Sequence, residues 1–128
     1  MRKLFGVTFV AVALCAGMAL AQMAATKTAD TPKGKILTDA KGMTLYTFDK
    51  DADGKSACNG PCATNWPPLM AAATDKPNGA FTTIKRDDGA MQWAYKGKPL
   101  YTWSKDAKAG DMTGDGFLNG AWHIVVVQ

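Results

Sequence analysis

The chain has no glutamate: all 11 of its acidic residues are aspartate. That removes a strong helix former, and together with 13 glycines it points to strands and turns. Histidine is almost absent too, with His123 the only one. There is no Ser-His-Asp order in suitable surroundings, no glutamate acid/base pair, and no glycine loop ahead of a helix to cradle phosphate. The chain is therefore read as a non-enzyme. Cys-x-x-Cys-His is missing, which excludes covalent c-type haem attachment. No basic run carries interleaved aromatics, so nucleic acid is not an expected partner.

Long apolar stretches are confined to the start. Arg2 and Lys3, the apolar run Leu4 to Leu20 and the small-x-small site Ala19-Leu20-Ala21 read as an export signal over residues 1–21. The run is short for a bilayer span and passes straight into polar residues, so no transmembrane segment is expected once the signal is removed. Lipidation at Cys15 is disfavoured because Leu14, not a small residue, precedes it. The expected address is periplasmic or secreted. Without Arg2 and Lys3, 13 basic residues face 11 aspartates, a net of +2, so the precursor's pI near 9.0 overstates the basicity of the mature chain. Cys58 and Cys62 are then the remaining cysteines. An even number in an oxidising space makes a disulfide the default reading.

What is present is a repeat. Gly42-Met43-Thr44-Leu45-Tyr46-Thr47-Phe48-Asp49-Lys50-Asp51 returns 55 residues later as Gly97-Lys98-Pro99-Leu100-Tyr101-Thr102-Trp103-Ser104-Lys105-Asp106. The copies also end alike, on Trp66 and Trp122. Self-similarity at a fixed period means one supersecondary unit is used twice. Both copies satisfy Tyr-x-(Phe/Trp/Tyr)-x-x-Asp. With Cys58-Asn59-Gly60-Pro61-Cys62-Ala63, Trp66-Pro67-Pro68 and Gly110-Asp111, the chain resembles the secreted-repeat family of bacterial lipoproteins and periplasmic proteins over residues 34–127. That resemblance implies a fold and an exported location but no biochemical activity.

Residues 22–33 lack apolar periodicity and read as a mobile leader ahead of a domain at 34–128, with repeats at about 34–72 and 80–128. Ile36 to Asp39, a turn at Ala40-Lys41-Gly42, and Met43 to Phe48 form a hairpin. Trp66-Pro67-Pro68 is barred from a central strand by its prolines and belongs to an edge or packed extended segment. A short helical turn is expected within 71–80, ended by Pro77-Asn78-Gly79. A meander then runs through Phe81 to Arg86, Met91 to Tyr95 and Leu100 to Trp103, with turns at Asp87-Asp88-Gly89 and Lys96-Gly97. Trp122 to Val127, the most β-branched run, is expected to be a central strand. The whole reads as an all-β domain, a small sandwich or open barrel of about seven strands built from two tandem β-repeats.

In each repeat, Tyr and Phe/Trp at i and i+2 share one strand face (Tyr46 with Phe48, Tyr101 with Trp103) and read first as packing. Asp51 and Asp106 sit where the strands end. They are read as accepting hydrogen bonds from loop amides, a Tyr hydroxyl or a Trp indole. Other readings stay open beside this one. Asp49, Asp51 and Asp53, with Gly54, match the first half of a Ca²⁺ loop, but the twelfth position is Gly60. Asp111 to Gly116 is a weaker echo. Met23, Met43, Met70, Met91 and Met112 with His123 offer soft ligands for copper, although the methionines are scattered as gap-fillers are. Cys58 and Cys62 are one residue too far apart for a Cys-x-x-Cys redox motif. The function read from the sequence is a non-catalytic binding or interaction module that needs no cofactor. Its ligand is an unidentified envelope or extracellular protein or a small molecule, met by the loops 49–65 and 104–120. Metal binding and thiol redox are the alternatives.

Overall fold

A computed structural model describes residues 26–127. The export signal, Cys15, Met23 and the first part of the leader lie outside the described residues. The chain is built from short strands: β1 Thr26–Thr31, β2 Gly34–Asp39, β3 Tyr46–Phe48, β4 Met70–Ala71, β5 Phe81–Lys85, β6 Met91–Tyr95, β7 Lys98–Pro99 and β8 Trp122–Ile124. Two short turns interrupt them, α1 (Pro61–Asn65) and the partly left-handed α2 (Phe117–Gly120); Pro61 opens the first and Pro67-Pro68 prevent its continuing. The fold is all-β, in several small sheets that do not close into a barrel.

Each repeat begins with an antiparallel hairpin, β1–β2 in the first and β5–β6 in the second. Thr26 and Phe81, which open the two hairpins, are 55 positions apart, as Tyr46 and Tyr101 are. Each motif strand then lies along its own hairpin: Leu45 donates its amide to Leu37 O (3.1 Å) and Leu100 to Trp93 O (3.0 Å). The chain next leaves on a long loop and returns to the other repeat. Trp93 of β6 donates to Leu69 O and Leu37 of β2 to Val125 O, so each hairpin is completed by the opposite repeat's returning segment. The exchange closes at Tyr46 and Tyr101, whose backbones trade hydrogen bonds of 2.8 and 3.0 Å. Around them runs a ladder of Ile124, Tyr46, Tyr101 and Pro68, with the two motif tyrosines central and the returning segments outside. The arrangement is an approximate two-fold with exchanged strands.

The core follows that two-fold. One cluster contains Tyr46, Trp66, Tyr101, Trp103, Trp122 and Cys58; the other contains Leu37, Leu45, Trp93 and Leu100. Both draw on both repeats.

Several sequence expectations change. Residues 26–31, read as part of the leader, form β1; polar residues suffice there because it is an edge strand held by its full pairing with β2. With this strand the described residues hold eight, in keeping with the expected number of about seven. Segment 71–80 has no helical turn: Asp75 instead caps a bend by accepting the Ala72 amide. The C-terminal run is not a central strand. Trp122–Ile124 pairs with β3, Val126 bridges to Ile36, and the outer side of β8 meets Asp115 through the Ile124 amide. Pro68 lies on an edge, as its missing amide hydrogen requires.

Candidate functional site

The eight repeat-motif residues form one assembly on the two-fold. Tyr46 of the first repeat donates its hydroxyl to Asp106 Oδ2 of the second at 2.7 Å, and Tyr101 of the second donates to Asp51 Oδ2 of the first at 2.7 Å. Each carboxylate uses its other oxygen to hold its own loop. Asp51 Oδ1 accepts the Ala57 amide, and Asp106 Oδ1 accepts both the amide and the hydroxyl of Thr113. The aspartates therefore fix the turns, as the sequence suggested, but each does so beneath a tyrosine from the other repeat. Burial first, then the neighbouring carboxylate, pushes the Tyr46 hydroxyl well above the usual tyrosine range. Burial also raises Tyr101; Asp51 adds to the effect, and Ser56 partly opposes it.

The other four rings stack. Phe48 lies on Trp122 (centroids 4.1 Å, planes 10° apart), Trp122 on Trp66 (3.7 Å, 1°), and Trp66 on Trp103 (3.9 Å, 26°). Tyr46 meets Trp66 edge-on at 5.3 Å and Tyr101 meets Trp122 edge-on at 5.1 Å. The edge contacts are what the ring quadrupoles favour. The residues that the sequence repeats are thus those that hold the two repeats together.

Sequence reasoning missed a second buried network. Arg86 donates to Gln92 Oε1 (2.8 Å), Ser56 Oγ (3.0 Å), the Cys58 carbonyl (2.6 Å) and Asn59 Oδ1 (3.3 Å). Gln92 in turn donates to Leu100 O, and Ser56 shares a 2.5 Å hydrogen bond with the Tyr101 hydroxyl. The guanidinium ties the first loop onto the second repeat's hairpin. Burial raises the Asp51 carboxyl despite the opposing Ala57 amide, Tyr101 hydroxyl and Arg86 charge. The one available signal was that Arg86 ends a strand whose alternation places it on the inner face with Ile84. The second loop lies correspondingly on the first hairpin, through Thr44 Oγ1 to Asp111 O (2.6 Å) and the Lys33–Asp115 ion pair (2.9 Å). The two loops are drawn onto opposite hairpins and are joined through the stack.

The candidate metal ligands separate. Asp51 is committed to Tyr101 and Ala57, and Asp49 faces His123 Nε2 at 2.9 Å, while Asp53 contacts neither and packs beside Gly97. Among the described residues, no group of three or more His, Cys, Asp or Glu is placed to hold a metal ion. Met43, Met70, Met91 and Met112 are spread over β2's turn, β4, β6 and the second loop. Cys58 and Cys62 form a disulfide, with Cα atoms 5.2 Å apart, and pack against the aromatic cluster.

The two long loops depart from the two-fold. Counting back from the returning tryptophans, Cys58 and Cys62 stand eight and four residues before Trp66; Gly114 and Leu118 stand eight and four before Trp122. Gly114 has no room for a side chain: a Cβ there would lie 2.6 Å from Trp66 Cη2 and 3.0 Å from Trp103 Cγ. Where the first loop is stapled, the second turns left-handed, with φ 58° at Leu118 and 57° at Asn119. A left-handed leucine is costly, because its Cβ crowds the following carbonyl. Leu118 and Phe117 are 54% and 46% exposed. Phe117 also caps the stack, 4.8 Å from Trp103 and 5.8 Å from Trp66.

These features define an all-β protein of two interlocked repeats with one asymmetric apolar loop. A family profile described as a secreted repeat of unknown function matches residues 27–70 and 82–126, and the chain belongs to that family. The first matched segment begins within β1, so the family's unit includes the strand that composition assigned to the leader. No curated protein and no solved structure matches the chain. No helix among the described residues is long and apolar enough to cross a membrane.

Proposed function

We propose that this protein is an exported, non-catalytic interaction module whose docking element is the tip of the second loop, Phe117-Leu118. The observation that carries this reading is the left-handed, half-exposed Leu118, which stands in the second loop where the first has Cys62 of the disulfide. Backbone strain at a non-glycine residue persists only where the surroundings impose it, and it concentrates at sites of function. The symmetric residues already have a structural task, since they join the repeats. The asymmetric ones display two large apolar side chains from a rigid base, as a hot spot inserted into a partner's pocket does. The partner is an envelope or extracellular protein with an apolar recess.

The test separates function from stability. Leu118→Gly removes the left-handed strain and is expected to raise the melting temperature while abolishing capture of the partner from envelope and extracellular fractions of the producing cell. A gain on the order of 1 kcal/mol is expected. Phe117→Ser should also abolish capture. If Leu118→Gly leaves both stability and the captured proteins unchanged, the loop is not a docking element.

A further inference from the structure

Packing alone does not require both motif tyrosines to give their hydroxyl protons to carboxylates. A backbone carbonyl would satisfy a buried phenol equally well, but only a carboxylate can keep the proton if the ring loses an electron. Here both tyrosines have one at 2.7 Å, Tyr46 on Asp106 and Tyr101 on Asp51. Each tyrosine also touches a central ring of the stack edge-on, Tyr46 at Trp66 and Tyr101 at Trp122. The stack is continuous, with neighbouring centroids 3.7 to 4.1 Å apart from Phe48 to Trp103. Phe117, itself too hard to oxidise to carry a hole, lies half-exposed against Trp103, so the indole at that end of the stack is one ring from solvent.

We propose that the aromatic assembly is a relay for oxidising equivalents, in which the tryptophan stack passes a one-electron hole to Tyr46 or Tyr101 and the paired aspartate takes the proton. The step balances as follows. An outer-sphere one-electron oxidant removes one electron from an indole of the stack, giving the indole radical cation and the reduced oxidant. The phenol ring then returns one electron to the indole. Its O–H bond breaks and the proton forms a new O–H bond on Asp106 Oδ2 or Asp51 Oδ2. The products are a neutral indole, a neutral tyrosyl radical and a neutral carboxyl group, and no charge is created in the core. A one-electron donor such as ascorbate restores the phenol, with the carboxyl returning its proton. Burial favours this coupled route, because an isolated radical cation or phenolate in the interior is penalised for desolvation.

Tyr95 supplies an internal control. It lies against Phe81 (5.0 Å) in the β5–β6 hairpin, with the Lys96 ammonium 5.4 Å from its ring centroid, a placement that opposes a hole there. The experiment oxidises the intact mature protein with photogenerated ruthenium(III) tris(bipyridine) and follows tryptophan and tyrosyl radicals by transient absorption and electron paramagnetic resonance. The proposal expects tryptophan radical decay to match tyrosyl radical growth, slower in heavy water and unchanged in Tyr95→Phe. The tyrosyl signal should vanish in the Tyr46→Phe/Tyr101→Phe double variant. Asp51→Asn with Asp106→Asn should slow the transfer by about tenfold or more. A tyrosyl radical lost in Tyr95→Phe, or transfer at the same rate in heavy water, overturns it. Those two readouts need no change to the core, so they decide the matter even if the core variants fail to fold.

Discussion

At the scale of single residues, each motif tyrosine commits its buried hydroxyl to an aspartate of the other repeat. Hydrogen bonds to charged groups contribute about 1.5–3 kcal/mol each, and a buried carboxylate left without its donor bears the desolvation cost alone. Tyr46→Phe is therefore expected to lose about 1.5–3 kcal/mol in denaturant unfolding. A double-mutant cycle with Asp106→Asn should show strong coupling although the two residues are 60 positions apart. The aspartates also make opposite contributions to acid stability. At Asp115, burial is outweighed by the Lys33 bond and the Ile124 amide, so its carboxyl lies below the ordinary value of 3.8. The unfolded chain binds that proton more readily, so the contribution is complete above pH 3.8 and is lost as pH falls through the lower folded value. Asp51 is raised by burial, so the folded chain binds its proton more readily and gains stability as pH falls through the raised value toward 3.8. Urea unfolding across the acid range should show a shallower acid limb in Asp115→Asn and a steeper one in Asp51→Asn. These roles were partly legible in the sequence: the carboxylates were placed at turns with tyrosine hydroxyls as donors. That each donor comes from the other repeat was not, because hydrogen-bond partners 50 and 60 residues apart leave no local signal.

At the scale of elements, the repeat was readable where side-chain identity recurs and unreadable where only backbone pairing does. The Tyr-x-aromatic-x-x-Asp strands and the glycine-bearing turns were evident, since Lys96 and Gly97, with φ of 51° and 84°, form the left-handed pair that a tight hairpin favours. Strand β1 was missed because Thr-Lys-Thr-Ala-Asp-Thr carries no apolar alternation. Extending the 55-residue period back from Phe81 would have found it. Arg86 was missed because a charged residue at the end of a strand, next to Asp87-Asp88, reads as solvent-facing, yet it is buried with four hydrogen-bond partners, three of them in the interior. Gly114 read as loop composition, whereas the structure shows it as a contact surface for two tryptophans. Gly114→Ala must displace Trp66 or Trp103, and overpacking of this kind costs about 1–3 kcal/mol. Thermal unfolding checks this; Gly110→Ala, where a Cβ meets nothing within 4 Å but φ is +94°, shows for comparison the cost of backbone strain without a clash.

At the scale of the whole molecule, neither repeat has a complete sheet or a complete core of its own. Each hairpin is finished by the other repeat's returning segment, each tyrosine by the other's aspartate, and each motif ring by the other's tryptophan. This explains why the motif occurs twice within one chain. The all-β class and the two-repeat plan followed from the sequence; the exchange did not, because period and composition are the same whether repeats stand side by side or interlock. The most direct test is to produce 26–74 and 78–127 as separate polypeptides, cut within the exposed connection, and record near-ultraviolet circular dichroism with sedimentation. Each half alone should lack a folded monomer and its tryptophan signal, and equimolar mixing should restore the native spectrum as a one-to-one complex. A half that folds by itself as a monomer, with its own tryptophan signal, would contradict the interlocked account.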